Sequence, residues 1–147
     1  MGKRIDIHNL APQAFKAMLG LEGFLAQISI DKKLIELIKI RASQINNCAY
    51  CINMHTKDAL KNGETSQRIF LISAWREATK FFTEEEQIVL EMAEEITLIS
   101  EQGLSETTYQ KALKHFSELQ IAEIIMVAVT INAWNRIAVS SHTQIEN

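Results

Sequence analysis

The only two cysteines of the chain lie three residues apart, and a histidine follows them. Cys48 and Cys51 form a Cys-x-x-Cys motif, His55 follows Cys51 by four residues, and Glu36 precedes Cys48 by twelve. If the segment from Cys48 onward is helical, positions 48, 51 and 55 share one helix face. Two thiols beside an imidazole and a carboxylate suffice for thiol redox chemistry: a nucleophile, a second sulfur that closes a disulfide, and a base.

Apolar residues at helical spacing, together with capping residues, predict an all-α fold of six to seven helices. The predicted segments are about 12–25, 32–45 capped by Asp31, 48–62 capped by Asn47, 65–79, 83–103, a helix capped by Ser105, and 117–140. No alternating pattern typical of strands competes with them. The chain, residues 1–147, is expected to form one domain, and its last helix is apolar on most sides. Such a helix should be central or lie in an oligomer interface.

The composition excludes several classes of function. A net charge of −3 and a pI of about 5.8 give no basic surface for nucleic acid. The N-terminus lacks the apolar core of a signal peptide, and the longest apolar run, 124–131, is too short to cross a bilayer. A cytoplasmic protein without membrane association is therefore expected. In a reducing compartment a Cys-x-x-Cys pair is more often catalytic or metal-binding than a structural bridge.

Each candidate residue also has a purely structural interpretation. A zinc site would need Cys48, Cys51, His55 and a fourth ligand such as Glu36, and the other histidines show no second pair. Redox chemistry is therefore the preferred interpretation, with no metal expected. Residue type alone favours a solvated or ion-paired Glu36, since charged helix residues are mostly exposed. Tyr50 either packs or contributes its hydroxyl to a proton path.

A polar pair interrupts the apolar final helix at Trp134-Asn135-Arg136. One interpretation is that Arg136 forms an ion pair, within the chain or across an interface. The alternative is that it lines the pocket and orients a polar substrate.

The pattern Glu-x11-Cys-x-x-Cys-x3-His, the surrounding KIRASQINNCAYCINMHTKDALKNGE and the later INAWNR resemble the alkylhydroperoxidase AhpD-like branch of the carboxymuconolactone decarboxylase family. This resemblance implies an all-helical subunit, assembled into trimers or hexamers, that reduces hydroperoxides. It implies that Cys51 attacks the peroxide, Cys48 resolves the sulfenic acid, and Glu36 and His55 relay the proton. AhpD itself has a histidine where this chain has Tyr50, and a tyrosine is a poor base at neutral pH.

The electron donor implied by the resemblance is a lipoylated or thioredoxin-like dithiol protein. No flavin, haem or nicotinamide motif is present, so no cofactor is expected. The residues alone leave the attacking sulfur open, because the helix N-terminus favours a thiolate at Cys48 whereas His55 favours Cys51. Three other functions remain open: a redox sensor without turnover, a general disulfide oxidoreductase, and a decarboxylase acting on a cyclic lactone.

Overall fold

The structure is a computed structural model that describes residues 2–146. Within that range the chain folds into eight α-helices and contains no strand, which confirms the predicted all-α class. The helices are α1 (Ile7–Leu10), α2 (Pro12–Leu25), α3 (Lys32–Ile45), α4 (Ala49–Lys61), α5 (Ser66–Leu71), α6 (Glu84–Thr97), α7 (Glu106–Leu113) and α8 (Glu118–Ser141). Two short 3₁₀ segments, Ile72–Glu77 and Thr79–Phe81, connect α5 to α6.

The apolar α8 is central in the subunit, which is one of the two positions predicted for it. It packs against α2, α3, α4, α6 and α7, and Val127, Ala128 and Ile131 are fully buried there. By length and composition alone α8 could cross a membrane, but core helices of soluble proteins pass the same test, and Glu123 accepts a 2.7 Å hydrogen bond from the Ser29 hydroxyl. We assign α8 to the core because it packs on five other helices.

The turn between α3 and α4 places Cys48 at the start of α4. Asn47 has a left-handed backbone (φ 54°), which asparagine tolerates better than most residues. The predicted N-cap at Asn47 is therefore wrong, because an N-cap residue needs an extended backbone. Cys48 has that backbone (φ −89°, ψ 90°), and its Sγ accepts a hydrogen bond from the Cys51 N–H at 3.3 Å.

Two predicted helices are shorter than expected. The one over 65–79 ends at Leu71, and the non-helical Ala74 then turns Trp75 inward, where its Nε1 donates to Glu94 at 2.7 Å. The one predicted to reach Gly103 ends at Thr97. There the chain folds back so that Glu95 accepts hydrogen bonds from the backbone N–H and hydroxyl of Ser105, the N-cap of α7. Tertiary hydrogen bonds thus override the local helical pattern.

Candidate active site

The two cysteines are paired as a disulfide in the first turn of α4. Their Cα atoms are 5.3 Å apart, within the normal disulfide range. Both residues are buried, Cys48 with 1% and Cys51 with 2% of its surface exposed. The Cys48 N–H donates to the Ser43 carbonyl at 3.0 Å, which anchors the turn to the end of α3.

A small apolar cluster surrounds this disulfide and is separate from the main core. Its buried members besides the cysteines are Ala42 of α3 and Ile131 and Ala138 of α8. Tyr50 and Trp134 are partly buried and pack against it. The sulfurs therefore lie in an environment of low polarity, where three helices meet.

His55 lies one turn after Cys51 on α4 and faces Glu36 of α3. Its Nδ1 is 3.3 Å from Glu36 Oε2, but the orientation does not make a hydrogen bond. Neither ring nitrogen of His55 has a hydrogen-bond partner among residues 2–146, although only 5% of the residue is exposed. The side chain of Glu36 is 13% exposed, and within residues 2–146 its salt-bridge distance is to His55 rather than to a lysine or arginine. The solvated or lysine-paired Glu36 favoured by residue type alone is therefore wrong. The structure thus brings together the carboxylate and imidazole identified from the sequence.

Asp58, one turn after His55, joins this pair. One ligand atom from each of Glu36, His55 and Asp58 lies within 4.8 Å of the other two. In the part of the chain that the structure describes, neither cysteine joins this group. The zinc set considered from the sequence is therefore not the one that the fold assembles.

A largely buried polar network holds the turn before Cys48 against α8, and most of its members were not predicted from the sequence. The Asn46 side-chain amide donates to the Oδ1 atoms of Asn132 and Asn135, both at 2.9 Å. Asn135 in turn donates to the Ser43 hydroxyl at 3.0 Å, and that hydroxyl donates to the Lys39 carbonyl at 2.7 Å. The signal that the sequence offers for this network is the pair of polar residues, Asn132 and Asn135, in the apolar stretch of α8.

The other two members of the Trp134-Asn135-Arg136 segment have different partners. Trp134 Nε1 donates to Glu22 Oε1 at 2.9 Å, which fixes the indole over the disulfide cluster. Arg136 is exposed and donates to the carbonyl and side-chain oxygens of Asn132, at 3.2 and 2.9 Å. It forms no ion pair with any of residues 2–146, so the intrachain alternative for Arg136 is wrong, and it lines neither the cavity at Cys51 nor the groove at Cys48.

Cys51 borders a largely apolar cavity of about 210 Å³, and Cys48 does not line it. Ile5, Ile7, Phe15, Met54, Trp134 and Ile137 supply most of its apolar wall. The N-terminal segment that closes one side is held to α8 by the Arg4 N–H, which donates to the Ser141 carbonyl at 3.0 Å. His8 stacks on Phe15 with ring centroids 4.2 Å apart. A small apolar molecule in this cavity would lie against the Cys51 side of the disulfide.

Cys48 and Glu36 each border a groove of their own. Cys48 borders a groove of about 260 Å³ with Asn47, His142 and Gln144 in its wall. Tyr50 lines both this groove and the apolar cavity. Glu36 borders a third, charged groove of about 290 Å³ on α2, α3 and α4. The two sulfurs and the carboxylate thus face three separate spaces.

Comparison with known proteins places the chain in a family. The sequence profile of the carboxymuconolactone decarboxylase family matches residues 12–95, which is more than half of the chain and includes Glu36, Cys48, Cys51 and His55. The chain belongs to the carboxymuconolactone decarboxylase family. The resemblance seen in the sequence is therefore confirmed, and the disulfide in the structure agrees with an antioxidant-like member of this family.

The chain is also similar to individual proteins. The chain is 41% identical over 140 residues, 95% of each protein, to the uncharacterized protein YdfG of Bacillus subtilis. A crystal structure from Agrobacterium tumefaciens, of a protein of unknown function described as a candidate AhpD antioxidant defence protein, superposes with a TM-score of 0.95 and 37% identity over 99% of both chains. The debrominase Bmp8 shares the fold, with a TM-score of 0.80 and 21% identity over 92% of this chain and 72% of Bmp8.

Proposed function

We propose that this carboxymuconolactone decarboxylase family member is a thiol-dependent peroxidase that reduces organic hydroperoxides. The observation that carries the proposal is the position of Cys51: it borders the apolar cavity, pairs with Cys48 and precedes His55 by one helical turn. The separate cavity at Cys51 supports this residue as the sulfur that attacks the peroxide, because the substrate can reach it without meeting Cys48. The cavity wall favours hydroperoxides with a small apolar group over hydrogen peroxide.

The oxidative half of the cycle consumes one hydroperoxide. His55, oriented by Glu36, takes the proton of the Cys51 thiol. The thiolate attacks the peroxide; the S–O bond forms as the O–O bond breaks, and the alcohol leaves with the proton held by His55. Cys48 then attacks the Cys51 sulfenic acid, forming the disulfide and releasing water, before further oxidation.

The reductive half requires a dithiol donor, and we propose that it enters through the groove at Cys48. One donor thiolate attacks the Cys48 sulfur and displaces Cys51 as the leaving thiolate, which His55 can protonate. The second donor thiol then attacks the mixed disulfide, so that the protein regains two thiols and the donor becomes a disulfide. A lipoyl group or a thioredoxin-like Cys-x-x-Cys fits this stoichiometry.

Tyr50 separates the two spaces, and we propose that its hydroxyl connects them as an auxiliary proton carrier. Tyr50→Phe retains the ring packing against the disulfide cluster and removes only the hydroxyl. If Tyr50→Phe slows the reaction of Cys48 with the Cys51 sulfenic acid but not the attack of Cys51 on the peroxide, the carrier role is supported. If both steps keep their wild-type rates, Tyr50 only packs against the disulfide cluster.

The deciding experiment follows peroxide consumption by fully reduced protein, with cumene hydroperoxide as substrate and dihydrolipoamide as donor. We expect sustained turnover by the wild type and none by Cys51→Ser or Cys48→Ser. After a single peroxide equivalent, Cys48→Ser should carry a sulfenic acid on Cys51 that reacts with dimedone. Cys51→Ser should carry none. Sulfenic acid on Cys48 in the Cys51→Ser protein would overturn the assignment of the attacking sulfur.

The groove at Cys48 also favours a second candidate function, thiol–disulfide exchange without peroxide turnover, as in a disulfide oxidoreductase or a redox sensor. The same experiment separates them. A peroxidase consumes many equivalents; a sensor consumes one and stops as the disulfide; an oxidoreductase reduces a disulfide substrate faster than the peroxide. Decarboxylase activity on a lactone would survive alkylation of both thiols, whereas all thiol functions would be lost.

We further propose that the protein is a cytoplasmic homo-oligomer, a trimer or hexamer. Several large apolar side chains are exposed on the subunit, among them Phe70 (77%) and Leu119 (66%). Such residues are commonly covered in assemblies. Light scattering on the purified protein measures the subunit number, and a monomer at micromolar concentration would contradict the proposal.

A further inference from the structure

We propose that Glu36, His55 and Asp58 form a binding site for one Zn²⁺ ion, and that zinc bound there blocks the proton relay. The binding half of this proposal is independent of the proposed function, whereas the inhibitory half depends on it. The ligand set differs from a cysteine-based zinc site, because both sulfurs are engaged with each other.

The site is built by two packed helices. His55 and Asp58 lie at i and i+3 on α4, so their side chains share a face, and Glu36 reaches them from α3. One ligand atom from each lies within 4.8 Å of the other two. The carboxylate and imidazole atoms are therefore close enough together that rotamer adjustments of the side chains would bring all three to one ion.

Unsatisfied hydrogen-bonding capacity distinguishes this group from an ordinary surface cluster. Both nitrogens of His55 and the Oε2 of Glu36 are fully buried atoms with no hydrogen-bond partner among residues 2–146. His55 Nδ1 lies 3.3 Å from Glu36 Oε2. Buried polar atoms of this kind are uncommon and call for a partner, which a metal ion can supply.

The donor set matches zinc chemistry. Zinc accepts imidazole nitrogen and carboxylate oxygen at about 2.0–2.2 Å, and three protein ligands with one water is a common arrangement. The two carboxylates would balance the charge of the ion. The charged groove beside Glu36 and Asp58 provides access from solvent. Lys32, Lys39 and Lys61 also line that groove and oppose a cation, so we expect an exchangeable ion rather than a structural one.

Zinc in this position would inhibit peroxide reduction. Coordination of His55 and Glu36 uses the lone pairs that would otherwise accept the Cys51 proton. The thiol would then stay protonated, and its attack on the peroxide would slow. Zinc would not need access to the sulfurs for this effect.

Zinc binding is best measured on the oxidised protein, in which the disulfide prevents the cysteines from acting as ligands. Titration against a chromophoric zinc chelator should give one ion per chain, and Co²⁺ in its place should show the intense visible absorption of a tetrahedral site. We expect Asp58→Asn to weaken binding by at least about tenfold, because loss of a ligand should weaken binding no less than loss of an outer-shell partner. Glu77→Gln removes an equal charge at an exposed residue and should bind as the wild type does.

Absence of binding by the oxidised wild type, or equal binding by a folded Asp58→Asn variant, would overturn the site. Circular dichroism of each variant checks that it is folded. Inhibition is measured as the ratio of each protein's own rates with and without zinc, so differences in basal rate cancel. Equal inhibition of wild type and Asp58→Asn would mean that zinc acts on the thiols, and would overturn the relay block. If the protein has no peroxidase activity, the proposed function fails while the binding result still decides the site.

Discussion

Two groups of ionisable side chains in this protein are similarly shielded from solvent but differ in how fully they are paired. Around Arg68, the guanidinium donates to Glu64 at 2.7 Å, to Glu86 at 2.8 Å and to the Phe81 carbonyl, and it lies over the Phe82 ring. Burial by itself lowers the pKa of Arg68, but its hydrogen bonds to Glu86 and Glu64 and the attraction of both carboxylates together outweigh burial, and the pKa of Arg68 is raised. Burial by itself raises the pKa of Glu64, but the hydrogen bonds from Arg68 and the Thr65 N–H and the charge of Arg68 outweigh it, and the pKa of Glu64 is lowered.

The polar atoms of the group around His55 are not all paired in this way. Both imidazole nitrogens and one oxygen of Glu36 are buried without a hydrogen-bond partner among residues 2–146. Fully paired charges stabilise a fold, whereas buried groups with unused lone pairs are available for proton transfer or ligation. The difference predicts that substitutions at Arg68 affect stability and that substitutions at His55 affect chemistry.

The largest expected effect is on catalysis. His55→Leu should slow peroxide reduction by about 10²–10⁴-fold, the usual contribution of a general base. The free energy of unfolding should change by no more than about 1 kcal/mol, because an unpartnered buried polar group is replaced by an apolar one of similar size. Single-turnover kinetics and urea unfolding measure the two quantities on one preparation. A large loss of stability with normal kinetics would show that His55 serves the stability of the fold rather than the chemistry, and would contradict this prediction.

Arg68→Met should have the opposite profile. Removing the guanidinium leaves the carboxylates of Glu64 and Glu86 shielded from solvent without their cation, which should lower the free energy of unfolding by about 3 kcal/mol. The rate of peroxide reduction by the folded variant should match the wild type, because Arg68 lines none of the three cavities at the site. Arg76→Met is the matched control: Arg76 also pairs with a glutamate, Glu94, but is largely exposed, and should lose less than about 1 kcal/mol.

The polar network before Cys48 should give an intermediate effect. Asn135→Ala removes the partner of Ser43 and one acceptor of Asn46, and we expect a loss of about 1–3 kcal/mol in the free energy of unfolding. Arg136→Ala, at the neighbouring exposed position, should change it by less than about 0.5 kcal/mol. Equal effects at the two positions would show that the network does not anchor the turn.

The smallest expected effect is a pH dependence at Glu64. Because the pKa of Glu64 is lower in the folded than in the unfolded protein, the ionised carboxylate stabilises the fold at pH values above the unfolded pKa of about 4.5. This contribution is lost as the pH falls through the lowered pKa of the folded state. Glu64→Gln should therefore reduce the thermal midpoint at pH 7, and the difference from wild type should shrink toward pH 3. If the difference in thermal midpoint stays constant between pH 7 and pH 3, the stabilising effect of Glu64 does not come from its charge.

Much of the fold could be predicted because its determinants are local. The starts of α3, α6, α7 and α8 follow from the side chains of Asp31, Thr83, Ser105 and Ser117, which bond the N–H groups of their own helices. The end of α6 could not be predicted, since it depends on Glu95 reaching a residue ten positions away. The start of α4 was misplaced by one residue because a left-handed asparagine and a capping asparagine look the same in a sequence.

The site divides in the same way. The sequence alone determined that two thiols and an imidazole would lie on one face of α4, because helical periodicity sets the positions of residues 48, 51 and 55. Only the tertiary structure decided that Glu36 faces His55, that Asp58 joins them, and that the two sulfurs border different cavities. These facts depend on how α3, α4 and α8 pack, and packing arises from contacts between residues far apart in the chain, for which a single sequence carries no local signal.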